Sequence, residues 1–198
     1  MYEVNKLSLE EKLALRAYRL ERGYPLHAPP HVEDESGPRL ISAACLQHQR
    51  IFDSSRLLSE LAKELLETMK RENFPCDAWV VLPNHYHLLL HIDSMARLGE
   101  TIRKMHSRIA TRVNGLAGKR GRRVWYRHTD RRMRSAAHYW ATVNYIHGNP
   151  VKHGYVREQD DWPWSSWLDY MDDHGRVRMA DWERQHPALD YGRGWDDH

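Results

Sequence analysis

Residues 80–92 read VVLPNHYHLLLHI, two apolar runs broken by Pro83 and Asn84. Two such runs around a short break predict an antiparallel β-hairpin. Side chains alternate along a strand, so His85, His87, Leu89 and His91 share one face, and Tyr86, Leu88 and Leu90 the other. An unpaired imidazole is costly at such a position, because the flanking runs belong in a core. The hairpin therefore demands partners for His85 and His87 from elsewhere in the chain.

The rest of the chain supplies elements in a definite order. Ser8 and Glu11 form a capping box and Gly23 a stop, which predicts an opening helix over residues 9–22. A Pro-rich acidic link follows, and then RLISAACLQ reads as a strand. Residues 54–73 carry Leu57, Leu58, Leu61, Leu65 and Met69 on one stripe, the mark of an amphipathic helix. After the hairpin come a half-basic helix over residues 96–114, a short strand in RRVWYRH and a helix over residues 136–150 that Pro150 ends. Strand, helix, strand, strand, helix, strand is the βαββαβ order of a ferredoxin-like α+β fold. Its antiparallel sheet carries helices on one face, and here a further C-terminal helix bears a tyrosine. The expected divisions are residues 1–38 as helix and linker, 39–157 as the main domain and 158–198 as an acidic, aromatic tail.

Charge is distributed unevenly. Twelve Lys or Arg lie between positions 101 and 135 (Arg103, Lys104, Arg108, Arg112, Lys119, Arg120, Arg122, Arg123, Arg127, Arg131, Arg132 and Arg134), against Asp130 alone. From Glu158 onward eleven acids face four arginines. A basic band beside an acidic tail points to a nucleic-acid partner and to a tail that masks the band when the partner is absent. Trp125 and Tyr126 inside the band are open to two roles, stacking on bases or packing in the core. No run approaches a membrane span, and Cys45 and Cys76 fit no disulfide or CxxC pattern, so a cytoplasmic protein is expected.

Two imidazoles two residues apart on one strand face can share a metal ion. An HxH pair also arises by chance among 14 histidines, so the spacing alone decides little. Histidine-triad hydrolases are excluded, because the third histidine they need falls on Leu89. In NYIHGNPVKHG, Tyr145 and Asn149 stand four apart and so share a helix face. A tyrosine can act as a covalent nucleophile, and an amide oxygen can complete a ligand set begun by two imidazoles.

WVVLPNHYHLLLHI followed by NYIHGNPVKHGYV and DWPWSS resembles the REP-associated tyrosine transposases, within the single-tyrosine HUH superfamily. The resemblance runs over residues 39–167. It implies an enzyme that nicks single-stranded DNA beside a REP-type hairpin and joins its tyrosine to the new 5′ phosphate. Carried over by motif, His85, His87 and Asn149 hold Mg²⁺ or Mn²⁺, and Tyr145 is the nucleophile. Insertion-sequence relatives carry Gln where Asn149 stands. The basic band would hold DNA phosphates, and Lys152 would assist ionisation of Tyr145. The resemblance leaves monomer and dimer open: insertion-sequence relatives work as dimers, whereas the REP-associated group implies that a monomer can act, which is slightly favoured. Two other classes remain: a non-catalytic binder of structured DNA or RNA, and a metal-dependent hydrolase that uses water.

Overall fold

The computed structural model describes residues 36–188 and Tyr191; the expected opening helix lies outside the described residues. Nine principal elements follow one another. They are β1 (Gly37–Cys45), α1 (Ser55–Arg71), β2 (Cys76–Val81), β3 (His85–Ile92), α2 (Met95–Leu116), β4 (Trp125–Arg132), α3 (Ala136–Lys152), α4 (Trp167–His174) and α5 (Arg176–Gln185). The strands form one sheet in the order β2-β3-β1-β4, every neighbouring pair antiparallel. This is the α+β arrangement that the order of elements implied.

Register assigns the two faces of the sheet. Ile41 and Ala43 of β1 pair with Leu88 and Tyr86 of β3, and Ser42 and Ala44 pair with His87 and His85. Directly opposed residues point the same way, so Ile41, Ala43, Tyr86 and Leu88 make one face and Ser42, Ala44, His85 and His87 the other. The first face packs under α1 and α2. There Leu58, Leu61, Leu65 and Met69 of α1 and Leu98, Ile102 and Met105 of α2 are buried. Serines begin all three long helices, Ser54, Ser94 and Ser135 accepting from the backbone N–H of Leu57, Arg97 and His138. Such caps satisfy donors that a helix start leaves bare.

The second face receives α3, which packs against β2 and β3. Beyond it the chain returns to the sheet: the Val81 N–H donates to Trp164 O at 2.9 Å and the Ser166 N–H to Trp79 O at 3.0 Å. Trp162, buried, donates from Nε1 to Val81 O at 3.0 Å. This return covers the outer edge of β2, whose backbone would otherwise be exposed to chance pairing. Met179 of α5 is fully buried, so the described part of the acidic tail is docked through α5.

Two elements differ from expectation. β4 runs to Arg132, four residues further than the sequence suggested, because it pairs only with β1 and its outward positions are polar. α3 continues through Pro150 to Lys152. Proline removes one donor near the helix end, and the turn closes on neighbouring carbonyls, with the His153 N–H on Asn149 O at 3.0 Å. Among the described residues no helix is long and apolar enough to cross a membrane.

Candidate active site between β3 and α3

His85, His87, Tyr145 and Asn149 meet on the buried face between β3 and α3, each no more than 3% exposed. The His85 and His87 rings stand edge to face with centroids 5.0 Å apart. His85 Nε2 faces Asn149 Oδ1 at 3.1 Å, and the Tyr145 hydroxyl lies 3.3 Å from His87 Nε2. Strand alternation turns both imidazoles one way, and helical spacing stacks Tyr145 and Asn149 above them.

Two further side chains fix which nitrogens face the helix. His85 Nδ1 is hydrogen-bonded to Asn84 Oδ1 at 2.8 Å and His87 Nδ1 to Ser42 Oγ at 2.6 Å. Because Asn84 Oδ1 can only accept, His85 Nδ1 carries its proton and the Nε2 lone pair points at Asn149 Oδ1. The donor set fits a divalent ion: two imidazole nitrogens and an amide oxygen, with the far side of each ring anchored. Among the described residues no three or more His, Cys, Asp or Glu side chains gather as a metal cage, so an ion here depends on the Asn149 amide.

Other groups complete the site. The Lys152 ammonium lies 5.3 Å from the centre of the Tyr145 ring. His153, one turn after Asn149, stands edge to face with His85 at 5.1 Å. Tyr191 leans on Tyr145 with ring centroids 5.0 Å apart, and the Arg131 guanidinium lies 5.7 Å from the centre of the Tyr191 ring. Asn84, Ser42, His153 and Tyr191 carry no motif of their own. Asn84 and His153 lie inside the stretches that carry the resemblance, whereas Ser42 and Tyr191 had no sequence signal. Tyr139 is occupied elsewhere, donating to Asp77 at 2.8 Å beside His91, which meets the same carboxylate at 2.7 Å.

The basic band divides in two. On α2, Arg108 and Arg112 reach across to Glu64 and Glu60 of α1, at 2.7 and 3.1 Å, and Lys104 pairs with Glu100 at 2.8 Å. The first two pairs tie α1 to α2 on the face away from His85, and the third lies within α2. Arg122 is held by Asn114 at 2.8 Å, and Arg123 donates to Trp125 O at 3.0 Å. Arg103, Lys119, Arg120, Arg127 and Arg134 are exposed and form no ion pair among the described residues. Register puts Arg131 on the His87 face and Arg132 on the opposite one, since Leu40 and Arg39 are their partners. Trp125 is core, stacked on His106 at 4.3 Å, whereas Tyr126 is 57% exposed. Of the tail acids, Asp160 pairs with Arg176 and Asp181 with Arg184, both within the tail.

The fold and the cluster define a class: an antiparallel α+β domain presenting an HxH pair to a tyrosine- and asparagine-bearing helix. No family model matches the chain. It is 32% identical over 112 residues to the REP-associated tyrosine transposase of Escherichia coli (strain K12), covering 54% of this chain and 63% of that one. A Haemophilus influenzae protein that carries the same family name provisionally is 28% identical over 138 residues, 63% of this chain and 76% of that one. The solved structure of a REP-associated tyrosine transposase bound to a REP hairpin superposes with a TM-score of 0.57 at 23% identity, over 73% of this chain and 86% of that one. In sequence the chain is similar to the REP-associated tyrosine transposases, and its fold is that of the solved one. It spans a little under two thirds of the E. coli relative's length.

Proposed function

We propose that this protein is a metal-dependent enzyme that nicks and rejoins single-stranded DNA beside a hairpin, through a 5′-phosphotyrosine on Tyr145. The observation that carries this reading is the meeting of Tyr145 with His87 and of Asn149 with His85, from chain segments about sixty residues apart. A non-catalytic binder has no use for all four. A REP hairpin is the ligand named for the structural neighbour, and single-stranded DNA with such a hairpin is the substrate proposed here.

Each residue has a part. His85, His87 and Asn149 would hold Mg²⁺ or Mn²⁺, which when bound polarises the scissile phosphate and stabilises charge on its oxygens. Asn84 and Ser42 hold the two rings with Nε2 outward. The Tyr145 oxygen forms a bond to phosphorus as the bond from phosphorus to the 3′ oxygen breaks. The phenol proton is lost and the departing 3′ hydroxyl gains one. The Lys152 charge, close to the Tyr145 ring, favours the phenolate that attacks. Because the phosphotyrosine keeps the energy of the phosphodiester, a 3′ hydroxyl can reverse the step and join strands.

An end-labelled hairpin oligonucleotide, taken from repeats flanking the gene, tests this with wild type and Tyr145→Phe in Mn²⁺ or EDTA. The expected result is a denaturation-resistant protein–DNA adduct with wild type in Mn²⁺ only. Nicking that survives Tyr145→Phe would mean that water attacks; tight binding without a nick would leave a binder.

A further inference from the structure

The helix α3 covers only half of the face that carries His85 and His87. It packs on β2 and β3, while on β1 Ser42 and Ala44 remain partly exposed. Their neighbours on the opposite face, Ile41, Ala43 and Cys45, are buried. Among the described residues this face is thus partly open at Ser42 and Ala44, two small side chains beside the candidate active site, while Leu40 further along β1 is buried.

A bulge places an aromatic ring at its rim. Ala43 pairs with His128 and Cys45 with Trp125, so Tyr126 and Arg127 together oppose Ala44. Two residues against one is a β-bulge, and the pair turns to the face opposite its flanking residues. Trp125 packs against His106 of α2, on the far face. Tyr126 and Arg127 therefore stand on the His85 side, in the cross-strand row that Ala44 shares with His85. Neighbouring strands lie about 4.8 Å apart, so Tyr126 stands two strands, about 10 Å, from the His85 backbone. Thr129 and Arg131 occupy the next two rows, opposite Ser42 and Leu40.

We infer that Tyr126 is a stacking platform for an unpaired base of the DNA strand whose phosphate reaches His85 and His87. This rests on the single-strand reading of the site above. An exposed tyrosine offers a π-face to any base. Its exposed neighbour Arg127 supplies charge for the strand's phosphates, and in the row between ring and imidazoles Ala44 contributes only a methyl group. Strand β4 then acts as a rail along which the strand is led to Tyr145. The buried Trp125, one residue earlier, is the pivot that fixes the direction of Tyr126.

The experiment uses the full chain and oligothymidylate twelve nucleotides long, with 5-iodouracil at one position for photocrosslinking. Wild type, Tyr126→Phe, Tyr126→Leu and Tyr126→Ala are compared, with the thermal midpoint checking that each folds. Stacking predicts that Phe binds like wild type, that Ala and Leu lose about 10-fold in affinity, and that the wild-type crosslink maps to Tyr126. Equal affinity of all four variants, or a crosslink on another strand, overturns the platform. Wild type that fails to bind oligothymidylate, and also forms no adduct with the flanking-repeat hairpin, overturns the single-strand reading itself.

Discussion

Ser42 controls which nitrogen of His87 is available, through a 2.6 Å hydrogen bond to Nδ1. Removing such a support from a ligating histidine costs metal affinity while leaving the ligand itself in place. Ser42→Ala should therefore weaken Mn²⁺ binding roughly 10- to 100-fold, read by the free-ion electron spin resonance signal in a titration without DNA. Ser42 is only partly buried, and the fold should survive. Unchanged Mn²⁺ affinity in a folded variant would dismiss both the support and the ligand role of His87. His85, His87, Tyr145 and Asn149 were legible in the sequence because each pair obeys a local period, two on a strand and four on a helix. Ser42 was not: its place opposite His87 is a matter of register between strands 45 residues apart, which no local pattern records. His153 was hidden for another reason, lying just past the proline that seemed to end its helix.

Charge patterning was readable at the level of elements but not of side chains. The run from Arg103 to Arg134 is basic in sequence, yet α2 spends Arg108 and Arg112 on the acids of α1. The turn from α2 to β4 keeps Lys119 and Arg120 exposed, with Gly118 and Gly121 at φ of 62° and 68° in the left-handed region that lets the chain reverse. Each lysine or arginine that contacts a phosphate of single-stranded DNA contributes about 0.7 to the slope of log affinity against log salt. Arg120→Ala should thus lower the slope by about that amount, and Arg112→Ala should change it far less. Fluorescence anisotropy with a labelled oligonucleotide across 50 to 200 mM salt measures both slopes. Equal losses would mean that the helix pairs open to bind DNA. Strand β4 was shortened in the sequence reading for a related cause. An edge strand with one solvated side shows no clean alternation, and the polar run Thr129, Asp130, Arg131, Arg132 reads as a loop.

Across the whole molecule, a half-buried and a buried histidine tie stability to pH from opposite faces of the sheet. His106 lies under the first face, within 2.9 Å of the Tyr86 hydroxyl, and His147 on α3 meets Ser166 Oγ at 2.9 Å. Burial lowers the pKa of each to about 3, with the charge of His128 a smaller contribution at His106. Both are neutral in the folded protein at any pH above that value, whereas in the unfolded chain each takes up a proton below its ordinary value of 6.5. Between those limits the unfolded state binds more protons, so stability falls as pH falls. Above pH 7 neither histidine contributes to the slope. The exposed carboxylates whose pKa is lowered by Arg or Lys partners, Asp93 and Glu100, start from 3.8 and 4.5, so their protonation falls mostly below pH 5 and adds little between pH 7.5 and 5.0. The urea midpoint should therefore drop between pH 7.5 and pH 5.0. His106→Gln, less stable at every pH, should show a shallower drop than wild type, and His147→Gln likewise. A wild-type midpoint that does not move over this range would mean that water or a neighbouring acceptor lets these imidazoles charge inside the fold. The packing of α2 and α3 against the sheet would then be looser than the buried Trp125, Tyr86 and Ser166 contacts imply.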